Sequence, residues 1–381
     1  MIAIGVLTFC IWLYLWLFHA SFWKIDREPV PAPPEEWPSV VVVIPARNEE
    51  DLIAETLHSL WAQDYPGDFQ IVLVNDHSED GTLEVARRAA VDAGADSKLT
   101  VIAAEPLPSG WTGKVWAMHQ GVTRGIPPHD PARYLLFCDA DILHSAGALR
   151  ELVCRAETGP CDLVSFMVKL RCNTIAENLM TPAFVFFFRM LYPFRAVNDP
   201  QKVLAGAAGG TMLVRREALE RIGGLESIKG EIIDDCSLAR QIKRGGNVIW
   251  LCLSERSGSI RNYQTMGEIL RMISRTAYTQ LEHSPIRLVA CMLGLGITFL
   301  APPLLIFAGG WAAALGGIAW LAMALLFLPT VLFYRRSPLL AAALPVTACC
   351  YLWATILSAW NYHRGKGVEW KGRRTSERAP Q

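Results

Sequence analysis

Asp139 and Asp141 stand two residues apart in FCDADIL, at the end of an apolar run, and would repel each other with nothing between them. Two carboxylates on one turn supply half of a hard, oxygen-lined site for Mg²⁺ or Mn²⁺, and the remaining positions suit the oxygens of a diphosphate. The same pair also suits an ordinary strand-to-turn boundary, where aspartate is common. A second pair, Asp234 and Asp235 in EIIDDCSLARQIKRGG, precedes a stripe of Leu238, Ala239 and Ile242 that closes with Lys243, Arg244 and Gly245. At about 3.6 residues per turn Asp235 falls on the inward face with Ile242, and Asp234 points roughly a quarter-turn away. An inward carboxylate in a first helical turn can simply complement the helix dipole.

These acids need elements to carry them. VVVVIP (40–45) is continuously apolar, as a strand buried on both faces should be. A helix follows, with Asn48 as its expected cap, Glu49, Glu50 and Asp51 in its first turn, and Ile53, Leu57, Leu60 and Trp61 as its stripe. IVLV (71–74), LTVIAA and YLLFC read as further strands, with a helical run over 83–90 between. The order predicts an open, mostly parallel α/β sheet, Rossmann-like in build, whose ligands sit at the carboxyl ends of the strands. Those ends are 46–49, 75–80, Asp139 and Asp141. There is no Gly-x-Gly-x-x-Gly after the first strand and no P-loop, so a diphosphate would be held by a metal and cations.

Hydrophobic residues make up 52% of the 381 and charged ones 19%, an excess concentrated at the two ends that signals membrane segments. Lysine plus arginine equals aspartate plus glutamate at 36 each, so no global field favours nucleic acid. The ten cysteines include no Cys-x-x-Cys and read as reduced thiols. The stretch 2–23 is uncharged and reads as an uncleaved transmembrane anchor. Stretches near 288–308, 311–334 and 339–360 are each long enough to span. Three crossings would leave the basic tail outside, against the positive-inside tendency, so either one segment is re-entrant or interfacial or the charge rule fails. The expected organisation is an anchor over 1–23, a proline-rich linker over 24–38, an α/β domain over 39–285, membrane helices over 286–360 and a basic tail over 361–381.

IPARNEE, VNDHSEDGT, GKVWAM, CDADI and IDDCSLARQIKRGG, in this order and at these intervals, resemble the family 2 glycosyltransferases of the GT-A fold. The anchor and carboxyl-terminal membrane cluster resemble the ceramide and carotenoid glucosyltransferase-like members. LPSGWTGKVWAM and GKGVEWKGR look similar to the hopanoid-biosynthesis-associated members. The resemblance implies an inverting, metal-dependent transferase that moves a sugar from a nucleoside diphosphate donor, UDP-linked by family weight, to a membrane lipid such as a hopanoid. It places the catalytic domain on the cytoplasmic side of the inner membrane. It implies that Glu49, Asp76 and Lys114 bind the donor, that Asp139 touches the ribose or the metal, and that Asp141 ligates the metal. Asp235 becomes the general base. An aspartate at 234 replaces the usual glutamate of that pair.

Processive members carry Gln-x-x-Arg-Trp before the membrane cluster. Here Met272, Arg275 and Thr276 occupy those places, so only Arg275, a candidate diphosphate ligand, remains. That departure favours a single sugar on a lipid over a polysaccharide synthase. The aromatic run TPAFVFFFRMLYPF (181–194) suits a segment at a membrane surface. A non-catalytic membrane scaffold is the alternative of another class, and the four acids Asp76, Asp139, Asp141 and Asp235 argue against it.

Overall fold

Every residue other than 27, 28, 128, 367, 372 and 376–381 is described by a computed structural model, with backbone alone for 368–370 and 373–375. The linker and tail boundaries expected above therefore fall partly outside the described residues. Eight strands form one sheet: β1 (Val40–Ala46), β2 (Phe69–Asn75), β3 (Leu99–Ala103), β4 (Tyr134–Cys138), β5 (Ile142–His144), β6 (Leu163–Lys169), β7 (Thr211–Arg215) and β8 (Ile249–Ser259). Their order is β3-β2-β1-β4-β7-β6-β8-β5. β1 pairs in parallel with β2 and β4, and β2 with β3. β7 runs antiparallel to both β4 and β6, which restores the common direction at β6 and, through parallel pairing, at β8. Only β7 and β5 oppose that direction.

Alternation along β1 explains its unbroken apolar run. Val41 and Val43 face Val115, Met118, Leu238 and Ile242 on one side of the sheet. Val40, Val42 and Ile44 face Ile53, Leu57, Leu60 and Leu152 on the other. Each such side chain, fully buried, contributes roughly 1.5–3 kcal/mol. The helix after β1 begins at Ile53, later than expected, and Leu52 stands at its cap position without a side-chain bond. Asn48 does not cap it. Its backbone is left-handed at φ 52°, a conformation asparagine tolerates, and its carboxamide oxygen instead accepts from Glu79 N–H at 2.9 Å, tying the β1 loop to the β2 loop.

Helix Ile175–Leu191 starts with a capping box, Thr174 and Glu177 exchanging bonds with each other's backbone. Glu177 also accepts from Tyr263 N–H at 2.8 Å, which fixes the chain after β8. The aromatic run predicted at a membrane surface lies on this helix. Phe186 packs on Phe22 and Phe327, and Phe187 on Phe299 and Tyr351. It thereby joins the α/β domain to the apolar helices.

Three helical segments, Pro285–Ala308, Gly310–Phe333 and Pro338–His363, are long and apolar enough to cross a membrane. The amino-terminal helix is shorter than the uncharged stretch, spanning Ile2–Leu17. Its 16 residues rise about 24 Å at ~1.5 Å each, against a hydrocarbon core of ~30 Å. Residues Ala20 and Ser21 then turn with positive φ, and His19 Nε2 meets Met190 O at 2.8 Å.

Both ends of Pro338–His363 lie on the side of the α/β domain. Tyr334, just before it, accepts from Leu170 N–H at 3.3 Å. At its far end Ser358 Oγ accepts from Tyr278 N–H at 3.0 Å, and His363 lies 3.2 Å from Tyr278 Oη, while nearby Gln280 bonds Tyr192 of the α/β domain. Between these ends Ala342 O accepts from Trp320 Nε1 at 3.1 Å, about 21 Å down the preceding helix from Tyr334 at ~1.5 Å per residue. The chain thus runs from Tyr334 to Ala342 and back towards Tyr278, the path that the re-entrant alternative requires. In sealed membrane vesicles, with Cys10 and Cys349 replaced, Ser337→Cys and Arg364→Cys are expected to react with an impermeant thiol reagent from the same side. Labelling from opposite sides would show a full crossing.

Candidate active site

The carboxyl ends of β1, β4, β6 and β8 open on one cleft of about 760 Å³. Its lining includes Glu49, Lys114, Asp139, Asp141, Asp234, Asp235 and Arg275. Asp76 is not among the lining residues. It is fully buried at the end of β2, its carboxylate 3.3 Å from His77 Nδ1 and its carbonyl held by Arg47 at 2.7 Å.

Lys114 sits in the first turn of helix Gly113–Arg124, where the helix dipole disfavours a cation. Carboxylates outweigh that. Its Nζ lies 2.9 Å from Asp139 and 3.2 Å from Asp234. Burial opposes its charge, yet Asp139, Asp234 and Asp235 together hold the ammonium protonated well above the ordinary lysine range. Asp234 thus faces the cleft too, contrary to the quarter-turn expectation, because both first-turn carboxylates of helix Asp234–Arg244 fan towards the same ammonium.

Asp235 accepts from Gly209 N–H at 2.8 Å and from Cys236 N–H at 2.7 Å. It is walled in by protein but keeps a face on the cleft. Desolvation and the neighbouring Asp234 push its pKa up to about 6, against the pull of Lys114 and the two N–H donors. A side chain at Gly209 would crowd the site. A Cβ there would stand 3.1 Å from Lys114 Nζ and 3.3 Å from Asp235 Oδ2.

Asp141 is bound by Arg261 Nε at 2.8 Å and by Ser259 Oγ at 3.1 Å. The same guanidinium grips both oxygens of Glu49 at 2.8 and 2.9 Å, and Lys371 Nζ adds a third contact to Glu49 at 2.9 Å. Arg261 and Lys371 were absent from the sequence reading. Arg261 follows the end of β8, so the strand-end rule would have found it had β8 been recognised. Lys371 lies in the GKGVEWKGR stretch noted above, but nothing there pointed to Glu49, 322 residues away. Arg275 is exposed at the rim with Arg271, beside an apolar wall of Met180, Phe184, Phe188 and Met272.

The donor set fits a divalent cation held jointly with a ligand. Glu49, Asp139, Asp141, Asp234 and Asp235 face Lys114, Arg261 and Lys371, an excess of two negative charges when all are ionised. Among the described residues no group of three or more metal-ligating side chains forms a closed site. An ion at Asp139 and Asp141 would complete its coordination with ligand oxygens.

The family model described as Glycosyl transferase family 2 matches residues 41–223. A 4,4'-diaponeurosporenoate glycosyltransferase of Staphylococcus aureus (strain bovine RF122 / ET3-1) is 36% identical over 208 residues, 52% of this chain and 50% of that protein. Its namesake from strain USA300 is 29% identical over the same shares. The chain spans about half the length of these curated relatives. A solved mannosyltransferase from Pyrobaculum calidifontis, in complex with GDP-Man and Mn2+, is similar over 94% of this chain and 99% of that one, with TM-score 0.57 and 19% identity. The fold is the mixed α/β GT-A sheet followed by three apolar helical segments.

Replacing Lys114 with methionine leaves three crowded carboxylates without their cation, and breaking a buried pair costs about 3–5 kcal/mol. The loss should be largest above pH 6. It should shrink as pH falls and Asp235 protonates, since its folded-state pKa lies above the unfolded one. Denaturant titrations at pH 8 and pH 5 check this, and an equal loss at both would show that Lys114 does not neutralise the cluster.

Proposed function

We propose that this chain, whose residues 41–223 match family 2 of the glycosyltransferases on a GT-A sheet, is an inverting transferase. It moves a sugar from a nucleoside diphosphate sugar, UDP-linked, to a membrane lipid acceptor of the hopanoid or other polyisoprenoid class. The observation that carries this reading is the position of Asp235, a carboxylate of raised pKa facing a cleft with cations on one side and an apolar wall on the other. That wall belongs to helices Ile175–Leu191 and Met266–Ser274, which pack against the apolar segments. The curated relatives are named for a 4,4'-diaponeurosporenoate acceptor. We place the α/β domain on the cytoplasmic face of the inner membrane.

Asp235 takes the proton of the acceptor hydroxyl as its oxygen attacks the anomeric carbon. The carbon–oxygen bond to the diphosphate breaks, and its electron pair leaves with the nucleoside diphosphate. Gly209 N–H and Cys236 N–H hold the carboxylate for that transfer. Lys114, Arg271 and Arg275 offer positive charge to the departing diphosphate. A Mg²⁺ or Mn²⁺ ion at Asp139 and Asp141 would neutralise the diphosphate when bound. Glu49, fixed by Arg261, stands on the nucleoside side, and Asp76 supports the loop behind it.

With Asp235 as base, transfer should fall as pH drops through about 6 and reach a plateau above it. Asp235→Asn should retain UDP binding yet lose roughly 10²- to 10⁴-fold in glycolipid formation per folded molecule. Near-normal turnover by that variant would remove Asp235 from the chemistry. Asp234→Asn should lose less, because it removes a partner of Lys114 and not the base.

Asp141→Asn tests the cation separately. Calorimetric titration with UDP should show weaker binding than wild type in Mn²⁺, and the difference should narrow with chelator present. Equal affinities for both proteins in both conditions would exclude Asp141 as a ligand.

A further inference from the structure

Behind the catalytic cleft, a second cavity of about 390 Å³ lies between the amino-terminal connection and the sheet, lined among others by Phe22, Lys24, Arg189, Phe194, Arg195 and Phe333. Arg189 is only 3% exposed. Its Nη2 donates to Lys24 O and its guanidinium lies 5.6 Å from the Phe194 ring, while Nε and Nη1 have no hydrogen-bond partner. Burial lowers its pKa to about 10, so it remains charged near neutrality, and Asp26 favours that charge from a distance. Asp26 is itself occupied, gripped by Arg195 at 2.9 and 2.8 Å. Glu151 is likewise taken, by Arg155 and Arg256 at 2.9 Å each. A buried guanidinium with donors left over is a costly arrangement unless something outside the chain accepts from them.

We propose that this cavity binds a phosphate-bearing anion, with Arg189 as its principal donor and Lys24 as its second, and that the anion is an acidic phospholipid headgroup. The surroundings set the depth. Phe22 belongs to the apolar cluster of helix Gly310–Phe333, and Phe333 ends that helix. Trp23, an interfacial residue type, has the exposed Lys24 ammonium 5.3 Å from its ring. Lys24 makes no direct ion pair among the described residues and feels Asp26 only from a distance. The cavity therefore stands where apolar helices meet the α/β domain, the level of lipid phosphates. It is separate from the catalytic cleft, since helix Ile175–Leu191 turns Thr181, Phe184 and Phe188 to the cleft and Arg189 to this cavity. The proposal requires the apolar segments to lie in a membrane but not any particular sugar or acceptor.

The test is thermal unfolding of the purified full chain in nanodiscs of neutral phosphatidylcholine and of a phosphatidylcholine–phosphatidylglycerol mixture. Wild type is expected to gain roughly 4–10 °C in the mixture. Arg189→Met keeps the volume and removes the charge whose Nε and Nη1 donors lack acceptors. It should be at least as stable as wild type in neutral discs and lose most of the gain. Lys24→Gln, at an exposed side chain, should fold normally and show a reduced gain. Inorganic phosphate added to neutral discs is the third arm. A gain there that Arg189→Met loses supports the anion site and assigns its occupant to a soluble phosphate. An undiminished gain in either variant overturns the proposal, as does a wild type that responds to neither phosphatidylglycerol nor phosphate.

Discussion

Mutual repulsion among carboxylates is the constraint around which the cleft is arranged. Five acids from three separate chain segments face one space, and unscreened they would drive those segments apart. Lys114 answers three of them and Arg261 the other two. Each cation also fixes geometry. Lys114 draws the start of helix Asp234–Arg244 towards β4, and Arg261 ties the end of β8 to the loop after β1. The remaining excess of negative charge suits a cation that arrives with its own anionic ligand. Desolvation, and after it the neighbouring Asp234, raise the Asp235 pKa against the pull of Lys114.

The sheet delivers these groups because strand direction is shared by β1, β2, β3, β4, β6 and β8. Their carboxyl ends coincide, so Glu49, Asp139 and Arg261 emerge along one edge. The antiparallel β7 contributes its beginning to that edge instead of its end. That reversal puts the Gly209–Gly210 turn against Asp235 and Asp139, where Asp139 N–H donates to Gly210 O at 3.3 Å. A parallel strand in that place would present different residues to the base.

Helix Ile175–Leu191 couples the two halves of the molecule. One face walls the cleft, another packs on the apolar helices, and a third carries Arg189 into the rear cavity. Its capping box and the buried Glu177 bind its start to the chain leaving β8. The apolar wall of the cleft and the apolar segments are therefore parts of one packed unit. The return of Pro338–His363 to the domain side adds the contact of Lys371 with Glu49.

What sequence alone determined was local and periodic. The buried parallel strands, the amphipathic helices, the acids at strand ends and the long apolar segments follow from side-chain types repeating every two or every 3.6 residues. The ordered motifs then identified Asp139, Asp141, Lys114 and Asp235 as neighbours. Tertiary structure decided what depends on partners distant in the chain. Asn48 capped no helix because Glu79, 31 residues away, claimed its oxygen. Asp234 turned into the cleft because Lys114 lay there. Asp76 lies fully buried at the end of β2, and Arg261 became a clamp on Glu49, 212 residues distant. The path of the last apolar segment was likewise outside the reach of hydropathy, which registers how apolar a stretch is but not which side its ends are bonded to.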